Sequence, residues 1–240
     1  AIKKNDQEEL FHIFTYSENQ YREIKIKEAD EIDDLRDSQS ITWINVDGIC
    51  QENILTKIGS IFGIHHLVLE DILDTTQRPK VEDYENYLYI VVKMIYSQNQ
   101  SDEIISEQVS LILGDKFVIS FQEEKKGDVF ENIRQKISSG KSKARKMQTD
   151  YLVYLIIDAI VDNYFNILEK IEDNIEFLEE LLTDNATGET LKIIDRSRRD
   201  MLYLRKAVWP LREVMSLLTH ADNELIKKST ILYFRDVYDH

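Results

Sequence analysis

The sequence predicts an α+β protein in which a mixed sheet covered by helices is followed by a long helical hairpin and one further helix. Two patterns carry this prediction. As far as about residue 145, short β-branched runs alternate with helical segments, which is typical of a sheet with helices packed on it. After Asp150 the apolar residues instead step by four and three, which is the repeat of a helix that packs against another helix. We therefore divide the 240 residues into 1–147, 148–220 and 221–240.

Alternating or clustered apolar residues predict six strands in the first part: 10–16, 21–27, 41–46, 87–96, 108–113 and 116–121. Helical periodicity marks four segments: 30–37, 52–62, 65–73 and 128–137. Gly63 is the predicted stop after the second helix, because glycine adopts the left-handed conformation that ends many helices. Gly114 and Asp115 predict a two-residue hairpin turn with Gly114 in its first position. The residues do not establish the order of the strands.

Two apolar series predict the long hairpin. They are Ile157, Val161, Tyr164, Leu168, Ile171, Ile175, Leu178 and Leu182, then Ile194, Ser197, Met201, Leu204, Val208, Leu211, Met215 and Leu218. A polar turn at 183–188 separates them, so we expect two antiparallel helices joined by a short loop. Pro210 predicts a kink in the second helix, because proline removes a backbone donor. A last helix is expected over 224–240; no residue stops it, which is typical of a piece of a longer chain.

Composition excludes several classes of protein. The net charge of -15 disfavours nucleic acid as a partner, because phosphate binding needs a basic surface, and favours cations or a basic protein. The single cysteine excludes a disulfide framework and fits a reducing cytosol. No run reaches the roughly 18 consecutive apolar residues of a membrane span. The sequence has no glycine-rich phosphate loop, no His-Glu-x-x-His motif and no Gly-x-Ser-x-Gly elbow, so we expect no enzyme.

Acidic side chains in three places are candidates for a divalent-cation site. Glu70 and Asp71 are adjacent on a short, otherwise apolar helix. Asp236 and His240 are four residues apart, which puts a carboxylate and an imidazole on one helical face. Asp158 lies within an apolar run, where an ionised carboxylate needs a partner. Surface acids that bind nothing would give the same spacing, so the spacing alone leaves both interpretations open.

A second row of residues runs one position on from the first apolar series: Asp158, Asp162, Phe165, Glu169, Glu172, Glu176 and Glu179. Such a stripe of oxygen ligands could attract cations. It also suits the solvated flank of a coiled coil that pairs with the basic second helix of the hairpin. Both interpretations stay open at this point.

Five stretches carry more information than spacing does: residues 43–48, 65–87, 150–165, 206–214 and 233–240. The second contains His-Leu-Val-Leu-Glu-Asp-Ile-Leu-Asp-Thr-Thr-Gln-Arg-Pro-Lys-Val, the fourth Ala-Val-Trp-Pro-Leu-Arg-Glu-Val, and the last Tyr-Phe-Arg-Asp-Val-Tyr-Asp-His. In this order they closely resemble the CorA family of magnesium and cobalt transporters. The resemblance extends over nearly the whole chain.

The resemblance implies an α/β/α sandwich domain with a mixed, largely antiparallel sheet, followed by two long antiparallel helices and the start of a stalk helix. In the family, the stalk becomes the first transmembrane span, and five copies form a funnel on the cytoplasmic side of the cell membrane. The family's Gly-Met-Asn pore signature and both spans are absent from this sequence. We therefore expect the cytosolic regulatory domain of a homopentamer, which by itself conducts nothing.

The resemblance also implies site residues. A regulatory Mg2+ or Co2+ ion would lie between neighbouring subunits, held by Asp71 and Asp236, and would keep the channel closed. A second ion would use Glu70, Asp158 and His240. Where some relatives have a histidine shortly after the Leu-Glu-Asp-Ile-Leu segment, this chain has Thr75-Thr76. We therefore expect the second site to be weaker than in those relatives, or absent.

Two alternatives remain at the level of sequence. A CorA-like zinc transporter would share this architecture. A soluble coiled-coil scaffold whose acidic seam binds a basic protein belongs to a different functional class.

Overall fold

The computed structural model describes residues 11–35, 39–48, 52–97, 104–123, 128–140, 142–184 and 188–240. In these residues it has seven strands, β1 (Phe11–Tyr16), β2 (Tyr21–Ile26), β3 (Ile41–Asp47), β4 (Lys80–Tyr84), β5 (Tyr87–Ser97), β6 (Ile104–Gly114) and β7 (Phe117–Gln122). The α-helices are α1 (Glu52–Phe62), α2 (His66–Leu73), α3 (Glu131–Ser138), α4 (Thr149–Asp184), α5 (Gly188–Thr219) and α6 (Lys228–Asp239). Short 3-10 helices lie at Ala29–Leu35 and Lys143–Lys146. Parts of three predictions, namely residue 10, residues 36–37 and residues 185–187, lie outside the described residues.

One sheet contains all the described strands, in the order β2-β1-β3-β7-β6-β5-β4. β3 and β7 pair in parallel, and the other neighbouring strands pair antiparallel. The predicted mixed, largely antiparallel sheet is therefore confirmed. The parallel pair is joined by buried hydrogen bonds: Trp43 Nε1 donates to Ser120 Oγ over 2.9 Å, and that hydroxyl donates to Asn45 Oδ1 over 2.7 Å.

Helices cover both faces of the sheet, so the fold is an α/β/α sandwich. On one face α1, α2 and the first 3-10 helix enclose a hydrophobic core, and on the other α3, α4, α5 and α6 enclose a second. The alternation along β5 shows the division, because Tyr89 and Val91 belong to the first core and Ile90 and Val92 to the second. Thus α2 and α6 lie on opposite faces of the sheet.

The predicted hairpin is present as α4 and α5. The first half of α4 lies on the sheet, where Asn163 donates to the Ile95 carbonyl and Tyr164 donates to the Lys93 carbonyl. Within the described part of the chain, one helix segment, Thr149–Glu179, is long and apolar enough to cross a membrane. Of its most apolar stretch, 61% is buried inside the protein. Contact with the sheet accounts for that apolar character.

The predicted apolar seam of the hairpin is only partly buried. Ile171, Leu178 and Leu204 are buried, as the repeat of four and three requires. Other members of the seam are 40% to 54% exposed: Leu168, Ile175, Ile194, Met201 and Val208. Two helices can bury only a narrow stripe between them, so these five side chains face outward. The helix α5 continues through Pro210, and a kink at that residue stays a prediction.

Two sequence predictions are wrong in detail. The last helix begins at Lys228 rather than at 224, because the side chain of Asn223 accepts the Leu225 amide at 2.8 Å and holds a turn there. The turn between β6 and β7 consists of Asp115 and Lys116, not of Gly114 and Asp115. Gly114 instead ends β6, where the Phe117 ring occupies the space that a side chain would fill. Gly63 does follow α1 with a φ of 67°, as predicted.

Candidate metal site

Glu70 and Asp71, which we call the α2 acids, are carried by helix α2. This helix forms because Val68 and Ile72 share one face and are buried against the sheet, while the His65 side chain caps the first turn. Both acids lie in its second half, close to the negative end of the helix dipole. A cation beside them is therefore stabilising.

The carboxylate of Asp71 already has two donors within the chain. Lys80 Nζ lies 2.5 Å from Asp71 Oδ2, and Gln77 Nε2 donates to Asp71 Oδ1 over 3.1 Å. Lys80 also lies 2.7 Å from Glu82. Burial acts to lower the pKa of Lys80, but its hydrogen bonds to these two carboxylates outweigh burial and raise the pKa. Glu70 is exposed, and among the described residues its carboxylate has no ion-pair partner.

Asp158, Asp236 and His240, which we call the α6 cluster, lie on the other side of the sheet. Phe234 and Val237 anchor α6 in the core beneath α4 and α5, which leaves Asp236 and His240 exposed. The His240 ring lies edge-on to the Phe165 ring, with 6.3 Å between their centres. The Asp236 carbonyl accepts the His240 amide at 3.2 Å, so the two side chains are one helical turn apart.

Asp158 is the half-buried member of the α6 cluster. Burial raises the pKa of its carboxyl group, and the negative charge of Asp162 raises it further. A 3.4 Å hydrogen bond from the Tyr154 hydroxyl, together with the nearby Lys136 and His240, opposes that rise in pKa. We expected the carboxylate of Asp158 to need a partner; these interactions offset the effect of its burial only in part.

The structure brings three of the five predicted site residues into one region and places the other two across the sheet. Oxygen ligands with one imidazole suit a divalent cation such as Mg2+ or Co2+. Among the described residues, however, no three His, Cys, Asp or Glu side chains are close enough together to hold a metal ion. The donor types fit such an ion, but a complete set is not assembled within one chain.

Comparison with known proteins decides the family. The family model described as CorA-like Mg2+ transporter protein matches residues 38–240. The chain belongs to the CorA family. Members of this family are transporters rather than enzymes, which agrees with the absence of catalytic motifs in the sequence.

Two CorA proteins are similar to this chain. The cobalt/magnesium transport protein CorA of Thermotoga maritima is 47% identical over 228 residues, which are 95% of this chain and 65% of that protein. The solved soluble domain of CorA from Methanocaldococcus jannaschii matches with a TM-score of 0.77 and 20% identity, covering 95% of this chain and 86% of that domain. This chain therefore spans about two thirds of the length of the Thermotoga protein and has the fold of a CorA soluble domain.

The ZntB cytoplasmic domain from Vibrio parahaemolyticus also has this fold. It matches with a TM-score of 0.69 and 14% identity, covering 95% of this chain and 87% of that domain. This likeness is one of fold alone. Membership of the CorA family favours a transporter over the scaffold that the acidic seam also allowed.

Sequence reasoning missed two side chains, Tyr154 and Lys80, which donate hydrogen bonds to the candidate ligands Asp158 and Asp71. Tyr154 could have been found, because it precedes Asp158 by one helical turn. Lys80 could not, because it lies nine residues after Asp71 and reaches it only through the turn that leads from α2 into β4.

Proposed function

We propose that this chain is the cytoplasmic, divalent-cation-sensing domain of a CorA-family transporter of Mg2+ or Co2+ in the cell membrane. The observation that best supports the proposal is the division of the candidate ligands between the two faces of the sheet. Because the sheet separates α2 from α6, one chain cannot direct both sets of acids at one ion. The α2 acids of one subunit and the α6 cluster of its neighbour would complete the site in a homopentamer.

The charge of these groups supplies the sensing mechanism. Without an ion, the carboxylates of neighbouring subunits repel one another, and the subunits separate or rotate. A bound dication offsets that repulsion and holds the closed arrangement. Mg2+ keeps much of its hydration shell and binds through few carboxylates, so each site is weak, and several sites together shift the equilibrium between the two arrangements.

The ligands have different roles in this proposal. Asp71 and Asp236 hold the first ion between subunits. Glu70, Asp158 and His240 contribute to a second ion, and an imidazole that ligates directly favours cobalt over magnesium. The second ion is bound more weakly than in relatives that have a histidine after this segment, or is not bound, because Thr75 and Thr76 stand there; the Thr76 hydroxyl donates to Asp74.

The proposal predicts how Mg2+ protects the full-length protein against trypsin. The double variant Asp71→Asn with Asp236→Asn should require at least about tenfold more Mg2+ for half-maximal protection, since an amide oxygen attracts a dication far less than a carboxylate does. The matched control is Asp115→Asn with Asp239→Asn, which removes the same charge from two exposed positions.

The control variant should be protected at the same Mg2+ concentration as the native protein. Unchanged protection in the Asp71 and Asp236 double variant would overturn the proposal. An equal loss of protection in both double variants would also overturn it, because that result indicates a general effect of charge.

A further inference from the structure

Lys80, the first residue of β4, is held between two carboxylates above an aromatic ring. Its Nζ lies 2.5 Å from Asp71 Oδ2 and 2.7 Å from Glu82 Oε1, and 5.4 Å from the centre of the Tyr89 ring. The Lys80 and Asp71 side chains are only 26% and 29% exposed, so water screens this pair less than it screens a surface pair. The ammonium group therefore occupies the place beside Asp71 that a bound cation needs.

Neither carboxylate oxygen of Asp71 is without a donor. Oδ2 accepts from Lys80, and Oδ1 accepts from Gln77. Each oxygen still has a free lone pair, but a dication bound to this carboxylate would lie close to the Lys80 ammonium group, and repulsion between the two cations drives the ammonium group away. Hydrogen bonds from a charged donor are about twice as strong as neutral ones, which makes Lys80 the stronger competitor.

We propose that Lys80 is an internal competitor of the divalent cation for Asp71 and thereby sets the affinity of the site. The inference rests on the proposed function of Asp71 as a ligand. In the ion-free chain Lys80, which Asp71 shares with Glu82, offsets part of the charge of Asp71, and an arriving dication moves the ammonium group away from that carboxylate. Lys80 is thus a positioning residue that lowers the affinity for the ion, rather than a ligand.

The structure provides a place for the displaced ammonium group. Glu82 is 38% exposed and keeps its contact with Lys80, and the face of the Tyr89 ring lies beneath. Displacement therefore leaves no unpaired buried charge, which would otherwise cost several kcal/mol. Because a positive charge lies beside Asp71 in both states, α2 keeps its helical conformation with and without the ion.

The experiment measures the Mg2+ concentration that gives half-maximal protection of the full-length protein against chymotrypsin. Chymotrypsin is chosen because a change at Lys80 would remove a trypsin site. Lys80→Met should lower that concentration by roughly three- to tenfold, the range that covers exposed and partly buried ion pairs. The control Arg78→Gln removes the same charge from an exposed side chain two residues away and should change it by less than about twofold.

Lys80→Arg keeps the charge and should raise the half-protecting concentration, because a guanidinium can hold a carboxylate with two parallel hydrogen bonds. In the Asp71→Asn background, Lys80→Met should leave the half-protecting Mg2+ concentration unchanged, because the carboxylate for which Lys80 competes is no longer present. Equal shifts from Lys80→Met and Arg78→Gln, or an unchanged value in Lys80→Arg, would overturn the role of Lys80.

The Asp71→Asn variant separates the two proposals. If this variant loses protection while Lys80→Met behaves like the native protein, Asp71 is a ligand and the inference about Lys80 is wrong. If Asp71→Asn is protected like the native protein, the proposed function itself is wrong, and the inference fails with it.

Discussion

At the scale of single residues, the candidate ligand Asp158 lowers the stability of the fold at neutral pH. Burial raises the pKa of this carboxyl group, so the folded chain binds the proton more readily than the unfolded chain does. The stability that this group contributes is complete below its ordinary pKa of 3.8, and it is lost as the pH rises through the raised value. At neutral pH the ionised group therefore destabilises the fold, unless a cation lies beside it.

Asp158→Asn should raise the free energy of unfolding at pH 7 in a chelator that removes divalent cations. The gain should disappear near pH 3, where the native carboxyl group is protonated as well. Urea unfolding at the two pH values measures both effects. The control is Asp162→Asn, an exposed acid one turn further along α4, which should gain less. A loss of stability at pH 7 in Asp158→Asn would contradict this description of the site.

At the scale of elements, one buried carboxylate links the beginnings of α4 and α6. Asp150 is fully buried; its Oδ1 accepts the Tyr151 amide at 2.9 Å, and its Oδ2 accepts the Lys227 amide at 2.8 Å, across 77 residues of sequence. Since Lys227 immediately precedes α6, this bond fixes where the helix begins. The position of Asp236 therefore depends on Asp150, although the two residues do not touch.

Replacing Asp150 with alanine removes the acceptor of the Lys227 amide, whereas the Tyr151 amide keeps the Gln148 carbonyl at 3.1 Å. Asp150→Ala should lower the free energy of unfolding by about 1–3 kcal/mol. Amide hydrogen exchange should rise more in α6 than in α1, which packs on the opposite face of the sheet. Asp222→Ala, an exposed acid before α6, is the control and should change stability by less than about 0.5 kcal/mol. Uniformly faster exchange in both helices would contradict the local role.

The elements that were predicted from the sequence have a clear local pattern of apolar residues, whereas strand β4 and the start of α6 do not. The hairpin of α4 and α5 follows from apolar spacing along each helix, and β5 follows from a long apolar run. Strand β4 was missed, because Lys-Val-Glu-Asp-Tyr at the edge of the sheet has no alternation of apolar residues. The start of α6 depends, besides the Asn223 turn, on the hydrogen bond that the Lys227 amide donates to Asp150, and no local pattern indicates that bond.

At the scale of the whole molecule, the sheet separates the two groups of candidate ligands. The site residues could be proposed from the sequence only through resemblance to the CorA family, because paired acids alone are ordinary on surfaces. Which of them share a face could not be deduced, since strand order and helix placement are long-range properties. The structure divides them into the α2 acids and the α6 cluster, and this division supports a site shared between chains.

The most direct measurement mixes two variants that each lack one of the two candidate ligands. Full-length Asp71→Asn and Asp236→Asn chains are co-expressed, and protection of the purified assembly against trypsin is measured as Mg2+ is added. In a ring that assembles at random, roughly a quarter of the interfaces receive an intact Asp71 from one chain and an intact Asp236 from the next. The account predicts partial recovery of protection in the mixture at a Mg2+ concentration that protects the native protein but neither variant alone. A mixture that remains as unprotected as its components would contradict a dication shared between subunits.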